Sequence, residues 1–322
     1  MNHCVRIYKA GGPENLVFET FDIPAPGAGE VRIRQEAIGV NFLDVYHRIG
    51  LNPLPLPAVL GTEGAGVVVE VGAGVTHVKP GDRVAYAMGL GAYATERNVD
   101  AGLVISLPDF IDFQTAAAVL LKGTTAEYLL HRTYRVTDKD TILFHAAAGG
   151  VGTIACQWAK ALGARVIGTV SSQSKADVAH QNGCTDVIVL QDEDFVARVS
   201  ELTDGKGAQI VYDGVGKTTF SGSLECLARF GMLALFGQSS GAVAPIDPAV
   251  LSKRGIFLSR PALYTYNPDQ PTRQASANAL FEAIRLGHVK PAIDKVFALK
   301  DVIEAHSALE SRRSTGSMVL VP

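Results

Sequence analysis

The sequence predicts an α/β protein in which a β-rich domain accompanies a doubly wound, Rossmann-type parallel-sheet domain. Three observations predict it. Roughly the first hundred residues hold short β-rich runs separated by turn residues, the pattern of a barrel or sandwich unit. Beyond about residue 123, strands and helices alternate strictly, as parallel neighbours require because each pair needs a helical crossover. Within that stretch Gly149-Gly150-Val151-Gly152 follows a strand and opens a helix, the position of a phosphate-binding turn.

The β-rich runs are Val5–Tyr8, Leu16–Asp22, Val31–Val40, Gly64–Val71, Arg83–Ala87 and Tyr93–Asn98, with turns such as Pro24-Ala-Pro-Gly27 and Lys79-Pro-Gly-Asp82 between them. The alternating part begins with strand Thr141–Phe144. Its helix carries Ile154, Trp158, Ala161 and Leu162 on one face and stops at Gly163. Strand Arg165–Val170, helix Lys175–Asn182, strand Val187–Leu190 and helix Glu193–Leu202 follow, the last packing through Phe195, Val196, Val199 and Leu202. Then come strand Gln209–Tyr212, a helix near Thr218–Arg229, strand Met232–Phe236 and a strand near Ile256–Ser259. After Pro261 the alternation weakens, leaving helix Ala275–Leu286, a strand near Val296, helix Asp301–Glu310 and strand Met318–Val321. The expected division is one domain from 1–123 and 262–322 around a dinucleotide-binding insert at 124–261. No fixed-period repeat, low-complexity tract or coiled-coil heptad appears.

The 322 residues are 47% hydrophobic and 19% charged, which suits large cores and excludes general disorder. Lys and Arg total 29 against 32 Asp and Glu, a net charge of −3, so no basic field points to nucleic acid or anionic membrane. Apolar runs such as Ala116–Leu121 fall far short of the ~20 residues of a membrane span. The first residues hold no apolar signal segment. Cys4, Cys156, Cys184 and Cys226 form no CxxC pair and read as free thiols of a reducing compartment, the cytoplasm.

A dinucleotide site selective for NAD places an acid about 20 residues after the glycines. Ser172 stands there, and Thr169-Val-Ser-Ser-Gln-Ser-Lys175 holds no acid and one base. Ser171, Ser172 and Lys175 therefore favour a 2′-phosphate, hence NADPH, while also suiting the start of the next helix. Gly216-Lys217-Thr218 lacks the first glycine of a P-loop. Gly237-Gln-Ser-Ser-Gly241 fits a nucleophile elbow but runs toward Pro245 rather than into a helix, so the loop is better placed against the nicotinamide half of a cofactor. No HExxH occurs and no cysteine lies between Cys4 and Cys156, so a cysteine-ligated zinc cannot be built in the first domain. His145 reads as a hydrogen-bonded structural group, and Cys156 and Trp158 as core.

Gly39-Val-Asn-Phe-Leu-Asp-Val-Tyr-His-Arg-Ile-Gly50, Leu60-Gly-Thr-Glu-Gly-Ala-Gly-Val67, Lys79-Pro-Gly-Asp-Arg-Val84 and the Ala-Ala-Ala-Gly-Gly-Val-Gly152 stretch form one ordered series, continuing to Leu309-Glu-Ser-Arg312 and Gly316. Over essentially its whole length the chain resembles the zeta-crystallin-like NADPH:quinone oxidoreductases of the medium-chain dehydrogenase/reductase superfamily. The resemblance implies a GroES-like catalytic domain, a Rossmann insert and a homodimer formed through the Rossmann domain. The zinc-dependent branch has a ligand cysteine where this chain has Asn41 and a ligand histidine where it has Thr62. Carried over residue by residue, the resemblance assigns Asn41, Asp44 and Tyr46 to the active-site side of the nicotinamide. It sets Tyr128, Gly150 and Val151, beside Gly149 and Gly152, along the cofactor, and Ser171, Ser172 and Lys175 at the 2′-phosphate. Phe236, Gly237, Gln238, Ser239 and Ser240 line the nicotinamide ribose and ring, with Arg260 and Arg312 as further polar contacts. One departure is Leu190, where close relatives often place a tyrosine near the adenine.

A quinone delocalises its developing charge and needs little Lewis-acid help. Asn41 and Tyr46, the candidate catalytic residues, can hydrogen-bond its oxygen. Two courses stay open, hydride transfer and single-electron transfer. Two other functions stay open too: reduction of activated C=C bonds in enals or enones, and a non-catalytic structural or single-stranded nucleic-acid-binding role. The charge of −3 argues against nucleic acid and the intact glycine turn against a purely structural role.

Overall fold

In the computed structural model, which describes residues 1–311 and 314–322, the chain begins as an antiparallel pair. β1 (Asn2–Ile7) pairs with β2 (Val17–Phe21). The long β3 (Glu30–Val40) leads into α1 (Phe42–Arg48), then β4 (Ala58–Val59), β5 (Glu63–Val71), β6 (Arg83–Ala87), β7 (Glu96–Asp100) and β8 (Val104–Ser106). The sequence reading, which saw only strands here, missed α1. Its start is set by Asn41, which is extended at φ −132° and whose N–H donates to the Asp44 carboxylate at 2.9 Å. An acid three residues after the N-cap is a local signal for such a helix. α2 (Phe113–Tyr128) follows, its middle the apolar run Ala116–Leu121.

Next come β9 (Thr141–Phe144), α3 (Gly150–Ala161), β10 (Arg165–Val170), α4 (Ala176–Gln181), β11 (Asp186–Val189), α5 (Phe195–Leu202), β12 (Ala208–Asp213), α6 (Phe220–Glu225), β13 (Leu227–Leu235) and β14 (Phe257–Ser259). Among the described residues these strands form one parallel sheet in the order β11-β10-β9-β12-β13-β14. The order reverses between β9 and β12, and ligands of such sheets bind beyond the carboxyl ends of the strands at that point. The helix expected near Thr218–Arg229 is shorter: α6 ends at Glu225 and Leu227 already pairs with Ala208 of β12, so Arg229 belongs to β13. The expected helix Lys175–Asn182 is a 3-10 turn, Gln173–Lys175, running into the six residues of α4.

The chain returns through α7 (Leu263–Tyr266), α8 (Gln270–Arg285), β15 (Ile293–Ala298), α9 (Val302–Glu310) and β16 (Ser317–Val321). β16 pairs antiparallel with β3. The first sheet therefore runs β15-β16-β3-β5-β6-β8, with β7 also on β3. Val31, Ile33, Ile38, Val68 and Val84 share a core with Leu299, Val302, Met318 and Leu320, so both chain ends bury their apolar faces together. Each such side chain contributes roughly 1.5–3 kcal/mol on burial.

By contacts the chain divides into Met1–Lys122 with Asn267–Phe281 and Pro291–Pro322, and Gly123–Tyr266 with Glu282–Lys290. Residues 262–266 and 282–290, assigned to the catalytic domain from sequence, thus group with the parallel-sheet unit. Tyr266 stacks on Tyr128 with ring centroids 4.6 Å apart, and the Lys290 N–H donates to Gln157 at 2.8 Å.

Candidate active site

In the first unit the site residues surround the start of α1. Asn41 is 4% exposed, and its side-chain nitrogen donates to Glu63 Oε2 at 2.8 Å. Tyr46, half-buried one turn further on, lies with its ring centroid 6.3 Å from that of Phe42.

Asp44 has no exposed surface. Its Oδ2 accepts the Asn41 N–H and the Tyr93 hydroxyl, at 2.9 and 3.0 Å, and its Oδ1 accepts the Thr62 hydroxyl at 2.8 Å. The expected cofactor contact from Asp44 is therefore corrected: the carboxylate holds Asn41, Thr62 and Tyr93 in place from inside the domain. Burial pushes its pKa up to about 6, against the pull of those three hydrogen bonds. The network continues inward. Tyr93 Oη lies 2.9 Å from His306 Nε2, and Arg48 Nη1 lies 3.2 Å from His306 Nδ1. An arginine can only donate, so Nδ1 accepts, Nε2–H donates to Tyr93, and Tyr93 donates to Asp44. Burial, assisted by the Arg48 charge, pushes His306 down to about 3, so the ring is neutral. Arg48, 1% exposed, also donates to the Gly11 carbonyl and to Glu310 at 3.0 and 2.7 Å.

In the second unit the turn after β9 meets the N-terminus of α3, with Gly149 extended at φ −85°. A Cβ at Gly152 would collide with the carbonyls of Ala146 and Ala147, so only glycine lets the helix close on its turn. Gly149, Gly150 and Val151 keep partial exposure there. Free N–H groups at this helix end suit a pyrophosphate. At the end of β10, Ser171 is exposed and Ser172 and Lys175 are half-buried, with no carboxylate among them. The Lys175 N–H donates to the Ser172 carbonyl at 3.0 Å, which puts hydroxyls and ammonium on one turn. With only six residues in α4, dipole support is weak, and the hydroxyls and Lys175 carry the preference. These features fit NADPH. Leu190, just past β11, is 37% exposed and offers an aliphatic face in place of an aromatic ring.

Phe236 to Ser240 are half-buried in the loop after β13. The Phe236 ring lies 5.8 Å from Phe144, and the Ser240 hydroxyl donates to the Val215 carbonyl at 2.7 Å. No helix follows Gly241, as the sequence reading requires. Arg260 is exposed and braces the end of β13 by donating to the Leu235 carbonyl at 2.6 Å. Tyr128 is 2% exposed and stacks against Tyr266. Arg312 lies outside the described residues. His145 shares hydrogen bonds of 2.9 Å with both Thr169 and Ser223, and Ser223 donates to Asp213, a buried network tying β9, β10 and β12. All four cysteines are buried free thiols.

Sequence reasoning missed Glu63, Tyr93, Lys122 and His306 around Asn41. A signal existed for two of them: Glu63 interrupts a small-residue strand, and Lys122 ends an apolar helical run.

A GroES-like fold with this parallel sheet defines a medium-chain dehydrogenase/reductase. Residues 27–141 match the alcohol dehydrogenase GroES-like domain and residues 150–277 the zinc-binding dehydrogenase domain. The quinone oxidoreductase of Pseudomonas aeruginosa is 50% identical over 97% of both chains. The 2-haloacrylate reductase of a Burkholderia species is 44% identical over 98% of both. The crystal structure of Escherichia coli quinone oxidoreductase complexed with NADPH superposes with a TM-score of 0.97 at 45% identity, covering 99% of this chain and 100% of that one. The chain belongs to the quinone oxidoreductase family of the medium-chain dehydrogenase/reductases.

The donor set does not suit zinc. At the two positions, Asn41 commits its nitrogen to Glu63 and Thr62 its hydroxyl to Asp44, and neither is a cysteine, histidine or carboxylate. Among the described residues no three His, Cys, Asp or Glu side chains gather as a ligand set.

Proposed function

We propose that the protein reduces quinones with NADPH and without zinc. The observation that carries this reading is the donor set at the start of α1: an amide and a phenol, backed by buried carboxylates already engaged in hydrogen bonds within the domain. NADPH supplies the reducing electrons. Asn41, through its second amide N–H, and Tyr46, through its hydroxyl, hydrogen-bond the quinone oxygen as charge develops there. Solvent or Tyr46 delivers the proton. In the second unit the glycine turn holds the pyrophosphate, and Ser171, Ser172 and Lys175 hold the 2′-phosphate. Gly237, Gln238, Ser239 and Ser240 line the nicotinamide ribose, with Arg260 as a further polar contact.

The test is NADPH oxidation by purified protein against benzoquinones, naphthoquinones and a panel of enones, with and without chelator, alongside metal analysis. Quinone turnover that survives chelation supports the reading. Stoichiometric zinc whose removal abolishes turnover overturns its zinc-free part, and enone turnover alone favours the second reading. That reading, reduction of activated C=C bonds with the same cofactor, is favoured by the similarity to the 2-haloacrylate reductase.

The homodimer reading is supported by the edge strand β14, where Phe257 is 57% and Leu258 38% exposed. Exposed apolar edges of this kind pair readily with a second chain. Among the described residues no helix is long and apolar enough to cross a membrane. We assign the protein to the cytoplasm on its buried free thiols.

A further inference from the structure

Behind Asn41 lies a buried charge pair. Glu63 opens β5 with no exposed surface. Gly39 on β3 makes room for it, since a Cβ there would collide with Glu63 Oε2 and the Ala117 carbonyl. Glu63 Oε1 accepts the Leu121 N–H at 2.6 Å, and Oε2 accepts the Asn41 side chain at 2.8 Å. Lys122 Nζ stands 3.6 Å from Oε2 on a side chain 8% exposed, and makes no hydrogen bond to the described residues. An ammonium buried so sparsely costs stability, and an apolar residue of similar volume is often as stable or more so. Structural support alone therefore gives no reason for a charge at this position.

We infer that Lys122 and Glu63 are positioning residues for the reduction, Lys122 keeping Glu63 ionised and ionised Glu63 fixing the orientation of the Asn41 amide. The inference rests on the reading that Asn41 contacts the substrate. An ionised carboxylate only accepts, so Asn41 must turn its nitrogen to Glu63, which sets where its second N–H and its oxygen point. A protonated Glu63 becomes a donor and can take the amide oxygen instead, turning the group over.

Burial raises the Glu63 pKa, and the Lys122 charge is the largest influence pulling it back down. The other titratable groups that face Glu63 are Asp44, Tyr86 and Tyr93. Burial raises all three, which keeps both phenols neutral.

Lys122→Met removes the charge and keeps most of the stem volume. Glu63 then takes up its proton at higher pH, and the acid limb of kcat/KM for a quinone moves up by about 1–3 pH units. Near about pH 6.5 the variant falls roughly tenfold below the parent, and it recovers to within about threefold near about pH 9. The Kd for NADPH, read by fluorescence titration, stays within about twofold and reports that the variant is folded. Lys122→Arg keeps the charge and restores the parent profile. In a Glu63→Gln background the Lys122→Met change loses its pH dependence, as a shared pathway requires. Should Lys122→Met fail to fold, Lys122→Gln carries the same comparison.

A neutral variant that follows the parent pH profile overturns the inference and leaves the quinone reading standing. Asn41→Ala with full quinone turnover overturns that reading itself.

Discussion

Placing a carboxylate at the end of β10, through Ser171→Asp, should reverse the cofactor preference. Ser171 is exposed and directly follows Val170, whose carbonyl accepts the Leu190 N–H at 2.9 Å. The Ser172 and Ser174 hydroxyls lie 3.0 Å apart on the same turn as Lys175. The change removes one hydroxyl bond to the 2′-phosphate, about 0.5–1.5 kcal/mol. It also sets a negative charge near a phosphate of about −1.5 to −2. Because the position is exposed, a near-water dielectric applies, and at about 6 Å the repulsion is about 1–2 kcal/mol. Together these amount to about 1.5–3.5 kcal/mol and weaken NADPH binding by about 10- to 400-fold. NADH, whose ribose diol can donate to the new carboxylate, should bind up to about tenfold tighter. Lys175→Ala removes a charge-assisted bond from a half-buried ammonium, at the lower end of about 1.5–3 kcal/mol, so the Kd for NADPH rises about tenfold and that for NADH barely changes. Leu190 enters neither difference, since an uncharged aliphatic side chain does not distinguish a 2′-phosphate from a 2′-hydroxyl. Fluorescence titration of each nucleotide at fixed ionic strength reads these values, with kcat/KM for NADPH and NADH alongside. Equal kcat/KM for the two cofactors in the unmodified protein would refute the 2′-phosphate site.

Three further outcomes are expected. Tyr46→Phe should lower kcat/KM for quinone by about tenfold or more, at least ~1.4 kcal/mol of transition-state stabilisation, with NADPH binding little changed; unchanged kinetics would leave Tyr46 as a wall residue. Asp44 takes its proton at about 6 when folded against an ordinary 3.8, so the folded chain binds the extra proton between those values. Stability from this group is fully present below pH 3.8 and is lost as pH rises through about 6, by about 3 kcal/mol. Asp44→Asn should remove that slope, and a melting-temperature difference between parent and variant that stays constant from about pH 4 to about pH 7.5 would refute it. Leu258→Lys on the edge strand β14 should shift the protein toward monomer in light scattering, whereas an unchanged mass would place the dimer contact elsewhere or deny it.

Local pattern was enough for the parallel-sheet domain. Alternating apolar strands and amphipathic helices announce themselves within ten or fifteen residues, and Gly149, Gly150 and Gly152 mark the phosphate turn in a single stretch. The absence of an acid between Thr169 and Lys175 is equally local. Boundaries were less legible where pairing with a distant strand decides them: Leu227 pairs with Ala208 and so ends what composition alone would continue as helix.

The chemistry around Asn41 depended on the tertiary structure. Asp44 looked like a cofactor contact because its motif said so, and its burial against Tyr93 and Thr62 appears only once β5 and the turn at Tyr93 come together around α1. Arg48 meets His306 across 258 positions of sequence, and Lys122 in the middle of α2 meets Glu63 at the start of β5. Hydrophobic periodicity reports which face of an element is buried. It carries no information about which charged groups from distant elements arrive at the same buried point. The electrostatics of such a point are set by the low dielectric and by the distances between partners, both of which exist only after the chain has folded.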